Sequence, residues 1–542
     1  MEKKEKIYLI LILLLSITLR VIGLNWGLPN KYHTVTYHPD ENTHLVNLQA
    51  MNPSKLNFSP LSERNPLAFG EGTFHLYLYA ATLKILSITK WLTIVKSEEF
   101  YFKNTGEWRK FFLVGRVLSV IFGVLTVWVT YLVSKKFYGE RVGLLSALFI
   151  GILPIHIVYS QYLLMNVPGV FWIVIAFVFF KNIIDKGEKK DYIFAGISTG
   201  LAISTRYSAG PLFLILILAH FLSKREKKSG LLILGLAIMM LSFLIGTPYA
   251  ILDYANFLKG LQNPIHVAGI SGFTFDITPV LSSFRESFGT ILVAVCASGI
   301  IFSVVSSATI YGRLNCNRKK DDLLILAWVF ILLVFFIRAG SSASPGRILP
   351  IVPFFVIFGA RFIDFLWTKK TIVGKSAAAI LFLTAMPFVI AFLQLRTEPD
   401  IRDISSEWIE KNIPPNSSIG LLVEPSWHSP GIVDRKYRHP EHINLPNYRF
   451  IPLAKNDWPS KCGYDELDKS SPDYLIVSDV EITRLGEIGF PDKLKKEYGY
   501  EEIKKFEKKF AIAGVSIKKQ IPPMLFVPND MYIFKSVKSV KK

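Results

Sequence analysis

Residues 7–24 read Ile7-Tyr8-Leu9-Ile10-Leu11-Ile12-Leu13-Leu14-Leu15-Ser16-Ile17-Thr18-Leu19-Arg20-Val21-Ile22-Gly23-Leu24, an apolar run behind the basic segment Met1 to Lys6. Signal peptides and first membrane spans share this pattern. No small-residue cleavage site precedes the Trp26/Pro29 region, so the run reads as an uncleaved first span. Further apolar stretches follow at about 111–133, 142–162, 170–184, 192–206, 208–222, 231–250, 290–311, 323–338, 348–367 and 371–393. Together they predict about eleven transmembrane helices.

Composition agrees. Of 542 residues, 51% are apolar before 35 glycines are added, and mean hydropathy is +0.36. Ordinary soluble domains hold ~45–50% apolar residues with glycine included, so an ordinary soluble enzyme is excluded. The net charge of +20 raises the question of a nucleic-acid partner, and the position of the charges answers it. Basic clusters sit in alternate loops: Lys135/Lys136/Arg141, Lys181/Lys186/Lys189/Lys190, Lys224/Arg225/Lys227/Lys228, Arg313/Arg318/Lys319/Lys320 and Lys369/Lys370. By the positive-inside rule these loops face the cytoplasm with the N-terminus of a plasma-membrane protein, and no nucleic-acid partner is expected. The loops at 163–169, around 206, at 251–289 and at 339–347 are poor in Lys and Arg and face outside.

The segment Thr73 to Val95 is apolar but carries Lys84 and Lys90. Were it to cross, every later basic cluster would land outside, so it reads as a juxtamembrane helix on the outer leaflet. From Leu395 onward the sequence is mixed and polar, with strand-like runs at Ile419 to Val423, Tyr474 to Val477 and Tyr532 to Phe534. Helix-like runs fall at Ile401 to Ile409 and Lys493 to Phe506. The expected architecture is an all-α polytopic membrane domain over 1–394, with external juxtamembrane helices and a first external loop over 25–110. A C-terminal external α/β soluble domain follows over 395–542. Cys296, Cys316 and Cys462 fall in a span, a cytoplasmic loop and the external domain, so no disulfide framework is implied. There is no internal repeat, low-complexity tract or heptad array.

Ionisable residues collect on the external side, where their burial in or near lipid needs a reason. The first external loop contains Tyr37-His38-Pro39-Asp40-Glu41-Asn42-Thr43-His44. Pro39 suits the first position of a helix, which places Asp40 and Glu41 in its first turn and favours their ionised forms. His44 follows Asp40 by four residues and Glu41 by three, so all three share a face. A capped surface helix is the plainer reading of this segment alone. Glu71 and His75 open the juxtamembrane helix, Arg206 and Tyr207 end one span, Arg347 opens another, and Asn166 lies at the external end of a third. Two arginines at one membrane face suit a phosphate, which takes bidentate contacts from guanidinium. Each singly also suits a snorkelling anchor.

In order and spacing these segments resemble the multispanning C-type glycosyltransferases, in particular protein O-mannosyltransferases and lipid A aminoarabinose transferases. Asp40-Glu41 resembles the family's acidic pair after the first span, and Gly70 to Tyr79 its following juxtamembrane helix. Pro154 to Pro168 resembles a segment ending Asp-x-Pro, Gly200 to Tyr207 a Gly-Leu-Ala…Lys-Tyr segment, and Arg347 to Pro353 an Arg-Tyr-x-x-Pro segment. Asp400-Ile401-Arg402 with Glu407-Trp408-Ile409 is similar to the start of the external domain in many relatives. Three positions depart: Asn166 stands for an acid, Arg206 for lysine and Ile348 for tyrosine.

The resemblance implies a transferase that moves a sugar from a polyprenyl-phosphate donor to an acceptor hydroxyl on a protein, lipid or glycan. In that scheme Asp40 accepts the hydroxyl proton with Glu41 beside it, and Arg206 and Arg347 hold the donor phosphate. One base without a covalent intermediate implies inversion. His38, His44, Glu71, His75, Asn166 and Tyr207 are candidates for substrate contact or for a divalent cation, although no recognised metal spacing is present and an amide at 166 is a weaker ligand for a hard cation. Trp408 and Trp427 are candidates for holding the acceptor, and equally for core packing. A polytopic secondary transporter is the alternative reading, opposed by the lack of paired repeats and by charges at span ends rather than the midplane.

Overall fold

The computed structural model describes residues 3–224, 228–267, 277–308, 316–339, 345–422, 428–431, 448–453, 464–485, 489–518 and 521–537. The chain forms two compact units. The first comprises Met1–Leu24, Thr43–Thr89 and Val114–Val389; the second comprises Asn25–Asn42, Lys90–Leu113 and Ile390–Lys542. Trp427 lies outside the described residues.

The first unit is helical. Among the described residues five helices are long and apolar enough to cross a membrane, and counting each bent helix pair as one span gives at most seven. The shortfall from about eleven reflects runs that fold as short helices, such as Lys189–Thr205 with 17 residues and Leu212–Phe221 with 10. The helix Phe74–Ile88 has 15 residues, about 22 Å, short of a ~30 Å hydrocarbon core.

The run at 142–162 is not one straight helix but two, Glu140–Ile152 and Pro154–Ser160, bent by 60°. Pro154 has no N–H to give the Ile150 carbonyl, so the ladder breaks there. Arg20 repairs the break. It is completely buried, and its guanidinium donates to the carbonyls of Ile150 (3.3 Å) and Gly151 (2.9 Å) and to Ser16 Oγ (2.7 Å). Gln161 Nε2 likewise donates to the Leu19 and Ile22 carbonyls at the end of the first helix. A buried backbone acceptor without a donor is costly, which explains why a charged side chain is kept at this depth.

Several basic residues at helix ends meet acids from other helices. Lys181 bonds Asp321 at 2.6 Å, Arg361 pairs with Asp322, Tyr138 Oη donates to Asp322 at 2.9 Å, and Lys135 pairs with Glu5. These contacts tie the helix ends together on the side of the basic clusters.

The second unit is built on a five-stranded sheet. Its strands are β1 (Ser418–Leu421), β2 (Arg449–Pro452), β3 (Tyr474–Ser478), β4 (Tyr500–Glu507) and, after a separate hairpin of β5 (Phe510–Ile512) and β6 (Val515–Lys518), β7 (Asp530–Ser536). The order is β2-β1-β3-β7-β4, with β1 parallel to β2 and β3, and β7 antiparallel to β3 and β4. Every residue of β3 is buried, as an unbroken apolar strand covered on both faces should be. Leu475 and Val477 join one core with Leu467 and Phe490; Tyr474 and Ile476 join the other with Ile401, Ile409 and Met531. Trp408 packs at the edge of the second core, 6.2 Å from Phe506.

The helix expected at Lys493 to Phe506 is instead a short helical turn ending at Tyr498, followed by β4. Gly499 adopts φ +69° and stops the turn, and Tyr500 to Glu507 pairs along β7. Glu501, Glu502, Lys504 and Lys505 have helix-favouring side chains, but on an exposed edge strand such charges also guard against further pairing. Here tertiary pairing overrides local propensity.

Candidate active site

Asp40 and Glu41 occupy the first turn of the helix Pro39–Ala50. Asp40 is exposed and Glu41 fully buried. The preceding loop is cross-braced. The Asp40 N–H donates to His38 Nδ1 at 3.2 Å, Thr36 Oγ1 donates to the His38 carbonyl at 3.2 Å, and the Asn42 amide spans Thr36 and His38. Accepting that bond requires an unprotonated Nδ1, so the His38 proton sits on Nε2. The His38 ring packs on Phe526 at 4.2 Å. Asp40, Glu41 and His38 belong to the second unit; His44, Glu71, His75, Asn166, Arg206, Tyr207 and Arg347 belong to the first.

In the first unit, close backbone packing gathers most of these residues. Gly72 lies against the end of the helix Lys189–Thr205, where a Cβ would come within 2.1 Å of the Ser204 carbonyl oxygen. Thr73 Oγ1 donates to the Gly246 carbonyl at 2.7 Å. Glu71, one residue before Gly72, and Arg206, two residues after Ser204, therefore interact electrostatically. The Glu71 side chain is reached by solvent although protein packs around it. Burial raises its proton affinity above the ordinary value, and Arg206 opposes that rise. Tyr207 follows, its hydroxyl pushed up by burial and by Glu71, which keeps it a neutral donor.

Arg206 and Arg347 flank the same helix turn. A Cβ on Gly169 would stand 3.2 Å from Arg206 Cβ, and Asn166 Nδ2 donates to the Gly346 carbonyl at 2.9 Å, one residue before Arg347. Asn166 and Gly169 are three apart in the helix Asn166–Asp185, hence on one face of its first turn. Both arginines are partly exposed, and Arg206 Nε donates to Ser208 Oγ at 3.1 Å. Arg206 and the residue preceding Arg347 thus lie beside a helix N-terminus, where N–H groups point outward, a setting in which arginines suit a phosphate.

His44 and His75 form a separate buried pair close enough to interact. Burial, with His44 adding to it, pushes the His75 imidazole down to about 3, so His75 is neutral and no cationic phosphate ligand. Its ring stands edge-on to Phe122. Among the described residues no group of three or more His, Cys, Asp or Glu side chains converges as a metal site.

The glycine contacts at 72, 169 and 346 were not singled out from sequence. The Gly70-Glu71-Gly72 triplet is the one readable signal, since glycines beside a carboxylate mark close backbone approach. Also missed was an anchor beneath Asp40: Tyr37 Oη donates to Asp403 Oδ1 at 2.6 Å.

Residues 110–248 match the family described as dolichyl-phosphate-mannose-protein mannosyltransferase. An uncharacterized protein of Aquifex aeolicus is 23% identical over 337 residues, which cover 62% of this chain and 63% of that protein. The chain thus spans less than two thirds of that relative's length. The structure of ArnT from Cupriavidus metallidurans bound to undecaprenyl phosphate aligns with 12% identity and TM-score 0.52, over 98% of both chains. The oligosaccharyltransferase of Archaeoglobus fulgidus aligns with 12% identity and TM-score 0.48, over 89% of this chain and 70% of that one. The matched family is one of transferases, and the transporter alternative finds no support in it. Residues 110–248 are thus similar to a family of mannosyltransferases, and the fold of the chain is similar to that of ArnT.

Proposed function

We propose that this chain is an integral membrane glycosyltransferase that moves a sugar from a polyprenyl-phosphate donor to an acceptor hydroxyl on the external face, with inversion. The observation that carries the proposal is the placing of Arg206 and Arg347 around the first turn of the helix Asn166–Asp185. That ArnT of the same fold binds undecaprenyl phosphate supports the choice of donor lipid.

In the proposed reaction the acceptor oxygen bonds to the anomeric carbon while the bond from that carbon to the phosphate oxygen breaks. The phosphate keeps the electron pair and leaves on its lipid. Arg206 and Arg347 stabilise the charge that builds on it. The acceptor proton passes to Asp40, which is exposed and whose backbone is held by His38. Glu41 supports Asp40, while Glu71, Tyr207 and Asn166 shape the sugar pocket. No step is routed through a metal. The accompanying topology has about eleven spans in the plasma membrane, the N-terminus in the cytoplasm, and residues 395–542 outside, where the acceptor is a protein, lipid or glycan. The transferred unit is a hexose or a pentose.

Binding of undecaprenyl phosphate to the protein in nanodiscs tests the phosphate assignment. Removing a charged hydrogen-bonding partner costs ~1.5–3 kcal/mol, so Arg206→Ala and Arg347→Ala should each weaken binding about 10- to 100-fold. Unchanged affinity in both variants would remove the assignment.

A further inference from the structure

The second unit contains a chain of contacts that the reaction scheme leaves unused, and it ends three residues from Asp40. Tyr37 Oη donates to Asp403 Oδ1 at 2.6 Å. The same carboxylate accepts from Asn30 Nδ2 at 3.1 Å and faces His33 Nε2 at 3.5 Å. The Tyr37 ring lies over the Arg402 guanidinium, 3.4 Å from its centroid, and stacks on the His33 ring at 4.3 Å. Arg402 is itself fixed by a two-pronged pair with Asp400, 2.7 Å from Nε and 2.9 Å from Nη2. Arg402 and Asp400 are both buried, so the platform beneath Tyr37 is held on every side. Burial acts to raise the Asp403 carboxyl, but the hydrogen bonds from His33, Tyr37 and Asn30 outweigh it and hold the group below the ordinary carboxylate range.

The position of this anchor is informative. A loop needs no ionised acceptor held by three side chains merely to close, because exposed loop backbone is satisfied by water. Between Tyr37 and Asp40 only His38 and Pro39 intervene, Pro39 with a fixed φ and His38 bonded back to the Asp40 N–H. Rotation at Tyr37 is therefore passed on to the Asp40 carboxylate with little slack.

We propose that Tyr37 and Asp403 are positioning residues: their hydrogen bond fixes the step from the Arg402 platform to Asp40 and thereby aims the Asp40 carboxylate at the acceptor hydroxyl. The inference rests on the reading of Asp40 as proton acceptor and adds to it the device that aims it. Neither residue is assigned contact with substrate. A misplacement of a reacting group by about 1 Å costs on the order of 100-fold, so a partial loss of aim is visible in turnover.

The test is a double-mutant cycle on the full-length protein in nanodiscs with Tyr37→Phe and Asp40→Asn, supported by Asp403→Ala. Tyr37→Phe keeps the ring on Arg402 and removes only the hydroxyl, so the protein should fold with an almost unchanged melting temperature. The expected result is kcat lowered on the order of 10-fold or more by Tyr37→Phe and by Asp403→Ala, with KM for the donor within about two-fold. In the Asp40→Asn background Tyr37→Phe should have no further effect, because there is no longer a base to aim. Wild-type kcat in Tyr37→Phe, or the same fractional loss with and without Asp40, would overturn the proposal while leaving the role of Asp40 standing. Full activity in Asp40→Asn alone would instead remove the parent reading, and the inference with it.

Discussion

The Asn166 side-chain amide donates to the Gly346 carbonyl at 2.9 Å, which fastens the start of one helix to the residue before Arg347. At the position where the resemblance calls for an acid, this chain uses a group that can donate. A carboxylate cannot, and facing a carbonyl oxygen it would meet repulsion instead. The departure at 166 is thus coupled to the placement of Arg347.

Asn166→Asp should therefore be the more damaging substitution although it restores the residue type expected at that position. Loss of the hydrogen bond alone, as in Asn166→Ala, costs about 0.5–1.5 kcal/mol; the carboxylate adds repulsion to that loss. Thermal unfolding in detergent should rank wild type above Asn166→Ala above Asn166→Asp. An Asp variant as stable as wild type would show that the amide is not acting as a donor.

Glu71 gives a pH signature. Its proton affinity is raised by burial, so the folded state holds a proton that the unfolded chain releases at ordinary carboxylate pH. The stability it contributes is present below its unfolded value and is lost as pH rises through the raised folded value. In Glu71→Gln that loss disappears, so melting temperature should fall less between pH 4 and 7 than in wild type. Identical slopes in the two proteins would contradict the enclosed position of Glu71.

Arg402→Met leaves Asp400 buried without its cation. Breaking one partner of a buried pair costs ~3–5 kcal/mol, whereas replacing both is far milder. Equilibrium unfolding should show a large loss in Arg402→Met that is mostly recovered in Asp400→Leu/Arg402→Met. Equal losses in the single and double variants would mean that Arg402 acts through its packing on Tyr37 and Trp26 rather than through Asp400.

The helical character of the first unit was legible, though not its number of spans, because burial in lipid demands uninterrupted apolar runs, and these are readable without knowledge of neighbours. Strand β3 was legible for the same reason, since Tyr474 to Val477 has no polar interruption. Where the reading failed, a distant partner decided the outcome. Tyr500 to Glu507 has helix-favouring composition, and only β7 makes it a strand. The break at Pro154 lay inside an apolar run, and its tolerance depends on Arg20, 130 positions from Ile150. The candidate site was legible as separate residues, Glu71, Asn166, Arg206 and Arg347, but not as a cluster, because glycine contacts at 72 and 169 draw those elements together. Tyr37 and Asp403, 366 positions apart, leave no local pattern at all.

The central claim is tested most directly by following labelled sugar from a polyprenyl-phosphate donor in membranes that contain either the wild-type chain or Asp40→Asn. The substitution keeps shape and removes basicity, and a positioned base contributes ~10²–10⁴-fold. Label should leave the lipid in the wild type and slow by about that factor in the variant, with undecaprenyl phosphate binding unaffected. Transfer within a few-fold of wild type in Asp40→Asn would contradict the account.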